Sequence, residues 1–178
     1  MNNFLKPELL APAGDKERLC AAIEYGADAV YLGSDRFGMR TAAASFGGND
    51  LKEACDYTHK HGAKVYLTCN TVPRNNELEA LPSFIEYAKD SGVDAFIVTD
   101  IGVLGIIKKI APDVDIHIST QAGITNYAAA RAFYDMGAKR IVTAREISLE
   151  EIAEIRAKTP KELEIESFVH GAMCVSFS

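Results

Sequence analysis

Ser91-Gly92-Val93-Asp94 leads directly into Ala95-Phe96-Ile97-Val98. The glycine follows a helical pattern, and four apolar residues follow the turn. Glycine suits the position just past a helix end because it adopts positive φ without a Cβ clash. The same phrase recurs along the chain. Tyr25-Gly26-Ala27-Asp28 precedes Ala29-Val30-Tyr31-Leu32-Gly33, His61-Gly62-Ala63-Lys64 precedes Val65-Tyr66-Leu67-Thr68, and Met136-Gly137-Ala138-Lys139 precedes Arg140-Ile141-Val142-Thr143. Each reads as a helix end, a tight turn and a short buried strand.

Working outward from these anchors, helical periodicity predicts helices over 15–25, 50–61, 77–91, 101–110, 125–136 and 148–158. Strands are predicted over 8–11, 28–32, 64–68, 94–98, 114–119, 139–143 and 163–169. Asp50-x-x-Glu53 and Ser148-x-x-Glu151 read as capping boxes, and Asn76-x-x-Glu79 resembles one. Strands alternating with helices imply parallel pairing through right-handed crossovers. An open doubly wound sheet and a barrel both satisfy that pattern. The unit repeats without a Gly-rich dinucleotide fingerprint, which favours an α/β TIM-barrel-like domain over 1–178. Such a barrel usually needs ~200 residues or more. Seven strands and six helices therefore suggest an incomplete barrel, the N-terminal domain of a longer protein cut before its eighth strand.

The composition is that of an ordinary globular domain. Of 178 residues, 48% are hydrophobic and 25% charged, and 19 Lys and Arg against 25 Asp and Glu leave a net charge of −6. That balance argues against a basic nucleic-acid footprint on this segment itself. No apolar run is long enough to span a membrane, so no membrane partner is expected. The first residues lack the apolar core of a secretory signal, which points to a cytoplasmic protein.

A parallel barrel presents its chemistry at the C-terminal ends of its strands. Asn70 follows the third strand there, and Thr143-Ala144-Arg145-Glu146 delivers two charges after the sixth. In Asp115-Ile116-His117-Ile118-Ser119-Thr120-Gln121, a period of two puts Asp115, His117, Ser119 and Gln121 on one face, pointing into the barrel. His117 either lines a pocket or fills a polar core layer, and Gln121 stands at the strand end. The longest loop, 33–49, carries Arg36 and Arg40, a residue type that grips carboxylate or phosphate bidentately. Asp100 reads as a helix cap. His59 and His61 point apart on a helix and make no metal site. Cys20 sits beside Leu19 and Ile23, Cys55 beside Leu51 and Ala54, and Cys69 alternates in phase with Val65 and Leu67, so all three read as packed thiols. Cys174, beyond the last strand on the active face, is open to several readings: nucleophile, metal ligand or packed thiol.

Glu166-Ser167-Phe168-Val169-His170-Gly171-Ala172-Met173-Cys174 resembles the opening of the signature of the collagenase-like peptidases, peptidase family U32. Lys6 to Gly14, Tyr25 to Tyr31, Arg36 to Arg40 and Ser119-Thr120-Gln121 are also similar to that family. The resemblance implies two competing activities. One is peptide hydrolysis, for which the sequence offers no nucleophile–base–orienter set. The other is oxygen-independent hydroxylation of RNA, most specifically of the tRNA wobble uridine, with prephenate as co-substrate. That second activity is the preferred expectation, with a non-catalytic barrel subunit docking to a partner as a further alternative.

The resemblance further implies an iron–sulfur cluster of the 4Fe–4S type in the full-length protein, with Cys174 as its first ligand. A cluster needs four thiolates, so this segment alone is expected to hold none and to be inactive. Glu166 and His170 are the expected catalytic groups, His170 as a proton shuttle, with a structural hydrogen bond as its equal alternative. Arg40, Asn70, Gln121 and Arg145 are the expected substrate-binding groups. tRNA is the expected partner, with a second protein of the same family as another.

Overall fold

The computed structural model describes residues 6–34, 36–38, 46 and 49–171. Its elements run β1 (Leu10–Ala13), α1 (Lys16–Glu24), β2 (Ala29–Gly33), α2 (Asp50–Lys60), β3 (Lys64–Cys69), α3 (Asn75–Leu78), α4 (Leu81–Ser91), β4 (Ala95–Val98), α5 (Ile101–Ile110), β5 (Asp115–Ile118), a 3₁₀ turn (Thr120–Ala122), α6 (Tyr127–Asp135), β6 (Arg140–Val142), α7 (Leu149–Lys158) and β7 (Glu164–Glu166). All seven strands form one parallel sheet in sequence order, β1 through β7. The recurring glycines close the helices as their position demands: Gly26, Gly62, Gly92 and Gly137 have φ of 92°, 78°, 94° and 102°.

The sheet curls into a TIM-barrel-like half-barrel, and alternation sorts its side chains into two layers. Val30, Leu67, Phe96, Ile118 and Ile141 face outward and pack with the helices in the main core. Ala29, Tyr66, Ala95 and Ile97 face the lumen in a smaller cluster, against Leu10 and Tyr31. The helices meet the sheet through apolar stripes. On α4, Leu81, Phe84, Ile85 and Ala88 recur at helical spacing and are all buried. Cutting the fully buried Ile85 to Ala is expected to cost about 2–5 kcal/mol.

Helix starts correct three sequence expectations. Residues 77–91 are two helices, because Pro82 sits in the first turn of α4, where a missing N–H costs nothing. With α3 separate, the described residues hold seven α-helices in place of six. The Asp50-x-x-Glu53 capping box does not form. Asn49 flanks α2 without a side-chain cap bond, and Asp50 and Glu53 lie within the first turn, where negative charge suits the helix dipole. The Asn76-x-x-Glu79 motif is displaced by two residues, since the Glu77 carboxylate accepts from the Arg74 N–H at 2.6 Å. Ser148 and Glu151 do form their reciprocal box, with bonds of 2.7 and 3.3 Å. Asp100 caps α5 by accepting from the Val103 N–H at 2.9 Å.

At the end of the described chain, Arg156 donates to the carbonyls of Leu163 and Pro160 and to the Thr159 hydroxyl. These bonds pin the loop that feeds β7. The strand stops at Glu166, short of the expected 169, so Phe168 to His170 leave the sheet.

Candidate functional site at the barrel mouth and lumen

The lumen holds a polar cluster built from distant strands. Arg140, the first residue of β6, is only 8% exposed. It donates from Nη1 to Glu8 Oε1 at 2.7 Å and to Glu166 Oε2 at 3.2 Å, and from Nε to Glu164 Oε2 at 2.8 Å. Its guanidinium carbon lies 5.2 Å from the Tyr66 ring centroid, and the Tyr66 hydroxyl donates to both Glu8 oxygens at 2.9 and 3.0 Å. His117 stands edge-on to Tyr66, with centroids 4.6 Å apart.

Three carboxylates share one buried guanidinium, and they do not ionise alike. Burial raises the Glu166 carboxyl, and the Glu8 and Glu164 charges add to this, so its pKa lies above the usual carboxylate value despite Arg140. Burial also works on Glu8, but the bonds and charges from Arg140, Tyr66 and Lys64 outweigh it and hold that carboxyl low. Burial, helped by the charges of Arg140, Lys64 and Lys139, pushes His117 down to about 3. The imidazole is therefore neutral, and its Nδ1 has no partner among the described residues.

The C-terminal ends of the strands form the mouth. Asn70 follows β3 and is half-buried. Gln121 belongs to the 3₁₀ turn after β5, not to the strand. Alternation ends at Ile118, so the expected common face keeps His117 and Ser119, both buried, and loses Gln121 to the turn. Asp115, at the opposite end, is exposed. Arg145 follows β6 with its guanidinium carbon 4.7 Å from the Phe168 ring centroid. Beside it, the Thr143 and Ser167 hydroxyls bond at 2.9 Å.

Asn70, Gln121 and Arg145 thus share the mouth. Glu166 turns inward to Arg140, while His170 lies exposed beyond the strand end. Arg40 and Cys174 lie outside the described residues. Arg36 is exposed. Sequence reasoning missed Arg140, Glu8 and Tyr66. The available signal was the period of two in β6, which puts Arg140 on the lumen face.

The described thiols do not fit a four-thiolate cluster. Cys20, Cys55 and Cys69 lie on α1, α2 and β3, and burial pushes Cys55 and Cys69 up to about 12. No group of three or more His, Cys, Asp or Glu among the described residues is placed to hold a metal ion. No helix among them is long and apolar enough to cross a membrane.

Residues 14–178 match the model of peptidase family U32. The tRNA hydroxylation protein P1 of Bacillus subtilis is 40% identical over 97% of this chain, and the tRNA hydroxylation protein P of Helicobacter pylori 46% over 96%. The chain spans 40% of the length of each of these relatives. The solved U32 peptidase Mk0906 superposes with a TM-score of 0.75 at 17% identity, over 94% of this chain and 72% of that one, a likeness of fold.

Proposed function

Because the chain belongs to peptidase family U32, we propose that the protein acts in RNA hydroxylation, with tRNA as its substrate. The observation that carries this reading is the 40–46% identity to proteins named for tRNA hydroxylation across nearly the whole chain. The mouth supports it. Phe168, 41% exposed, carries the Arg145 guanidinium over its ring, and such an aromatic–cation pair is suited to an RNA base and its phosphate.

The finer parts of the proposal are the wobble uridine as target and prephenate as co-substrate. Arg145 and Arg40 are then the carboxylate holders, Asn70 and Gln121 line the substrate, and His170 and Glu166 handle protons. Cys174 is the one thiolate this chain offers a 4Fe–4S cluster on the family resemblance. Hydrolysis of peptides finds little support in the described thiols, since thiols raised to about 12 are poor nucleophiles at neutral pH.

Nucleoside mass spectrometry of tRNA from a strain deleted for the gene tests the reading. The hydroxylated wobble uridine should disappear, return with the wild-type gene and stay absent with Cys174→Ala. An unchanged nucleoside profile would defeat it.

A further inference from the structure

Two side-chain oxygens at the mouth are buried without a partner among the described residues: Thr99 Oγ1 and Gln121 Oε1. They belong to neighbouring strands. Thr99 follows β4 and continues the lumen-facing series Ala95, Ile97. Gln121 follows β5, whose pairing with β4 extends through the Ser119 N–H to the Val98 carbonyl at 2.7 Å. The turn that carries Gln121 is fixed by its own bonds. Ala122 and Gly123 donate to the Ser119 and Thr120 carbonyls at 3.0 and 2.9 Å, and the Ser119 hydroxyl accepts from the Gln121 N–H at 3.4 Å.

Leaving such groups buried and unmet costs about 1–3 kcal/mol each, so a fold that keeps two at the ends of neighbouring strands has a use for them. Their chemistry narrows the ligand. An amide oxygen only accepts, whereas a threonine hydroxyl donates or accepts. A bare carboxylate or phosphate satisfies Thr99 alone. A group with an N–H next to a carbonyl satisfies both, with the N–H toward Gln121 and the carbonyl toward the Thr99 hydroxyl. A uracil ring carries that pair on its imino edge.

We propose that Thr99 and Gln121 form a base-reading subsite that hydrogen-bonds the imino edge of a uracil base. The assignment rests on the RNA-hydroxylation reading and adds the residues that would distinguish uracil from a base lacking that N–H.

The test uses the full-length protein and an anticodon stem-loop RNA, with binding followed by fluorescence anisotropy. One RNA carries uridine at the wobble position and the other N3-methyluridine, which lacks the donor. The wild type should bind the uridine RNA about tenfold more tightly, the value of one hydrogen bond to an otherwise unmet buried group. The double variant Thr99→Val, Gln121→Met should bind the two RNAs within about twofold of each other. Equal binding by the wild type overturns the subsite. So does discrimination that survives in the double variant, because it would then come from steric exclusion of the methyl group. Failure to bind either RNA overturns the subsite together with the RNA reading. The deletion-strain nucleoside profile separates these failures, since hydroxylation lost there with no discrimination here removes the subsite alone. Thermal melts of each single variant establish that loss of discrimination is not loss of fold.

Discussion

Arg140 and Glu8 are 132 positions apart in sequence, yet Arg140 Nη1 donates to Glu8 Oε1 at 2.7 Å. The bond links β6 to the segment just before β1, across the lumen of a sheet whose edges are β1 and β7. It is a measure of how far the sheet has curled. It also makes Arg140 the sole guanidinium bonded to Glu8, Glu164 and Glu166 among the described residues.

Removing that guanidinium leaves three carboxylates facing one another. Arg140→Met should therefore destabilise the fold by about 3–5 kcal/mol, the usual cost of leaving buried charge uncompensated. Urea denaturation followed by circular dichroism measures this. A loss below about 1 kcal/mol would mean that water already screens the cluster as it does a surface ion pair.

The three carboxylates should respond differently to neutralisation. Glu166 is raised above 4.5 by burial, so ionising it opposes folding: its contribution is fullest below 4.5 and falls as pH rises through the folded value. Glu8 is held below 4.5, so its contribution is present above 4.5 and lost as pH falls through the folded value. At pH 7, Glu166→Gln should be neutral or stabilising while Glu8→Gln destabilises. The Glu8→Gln penalty should shrink in acid. Melting temperatures of the two variants at neutral and acid pH give the comparison, and equal losses at pH 7 would contradict the assignment.

His117 adds a second acid dependence. Its folded value of about 3 lies below the ordinary 6.5, so the unfolded chain binds the extra proton between those limits. Stability is then fully present above 6.5 and falls as pH drops toward 3, by up to about 1.4 kcal/mol per pH unit within that window. His117→Phe should flatten the dependence between pH 6 and about 4. An unchanged slope in that variant would show that other groups carry it.

Much of this architecture was legible because its signals are local. The glycine phrase marks a helix end and a strand start within a few residues at β2, β3, β4 and β6, and apolar periodicity supplies the other three strands. The break at Pro82 was also present in the sequence, but apolar periodicity runs through Leu78, Leu81 and Ile85 and masks it. The mouth was legible in outline: Asn70, Gln121 and Arg145 each follow a strand. The turn that takes Gln121 out of alternation was not, because it depends on a hydrogen bond from the Gln121 N–H to the Ser119 hydroxyl and on Gly123 at φ 64°. The Arg140 cluster was the least legible part. Alternation places Arg140 on the lumen face, but nothing local says that Glu8 arrives from the other end of the chain.

At the mouth, the aromatic face should matter to RNA and not to folding. Phe168 is partly exposed and lies outside the sheet, so Phe168→Ala should leave the melting temperature of the full-length protein nearly unchanged. If the ring stacks on a base, the same change should weaken anticodon stem-loop binding by a factor of about 5–150, the range that corresponds to ~1–3 kcal/mol per stacked base. Phe168→Tyr should keep most of the affinity, because the ring face is retained. Full affinity in the alanine variant would place the base elsewhere.

The subsite residues make a contrary prediction about stability. The Thr99 hydroxyl is buried with no partner among the described residues, a cost that the folded state carries, and valine has the same shape without the polar atom. Thr99→Val should therefore raise the stability of the protein alone, by about 1 kcal/mol, while it removes a ligand contact. Gaining stability while losing binding is the signature of a group kept for function, since a purely structural threonine would lose both or neither. Urea denaturation of the unliganded variant supplies the first number and stem-loop anisotropy the second. A destabilised Thr99→Val would mean that the hydroxyl is already satisfied in solution, and the argument that a ligand completes it would fall with that result.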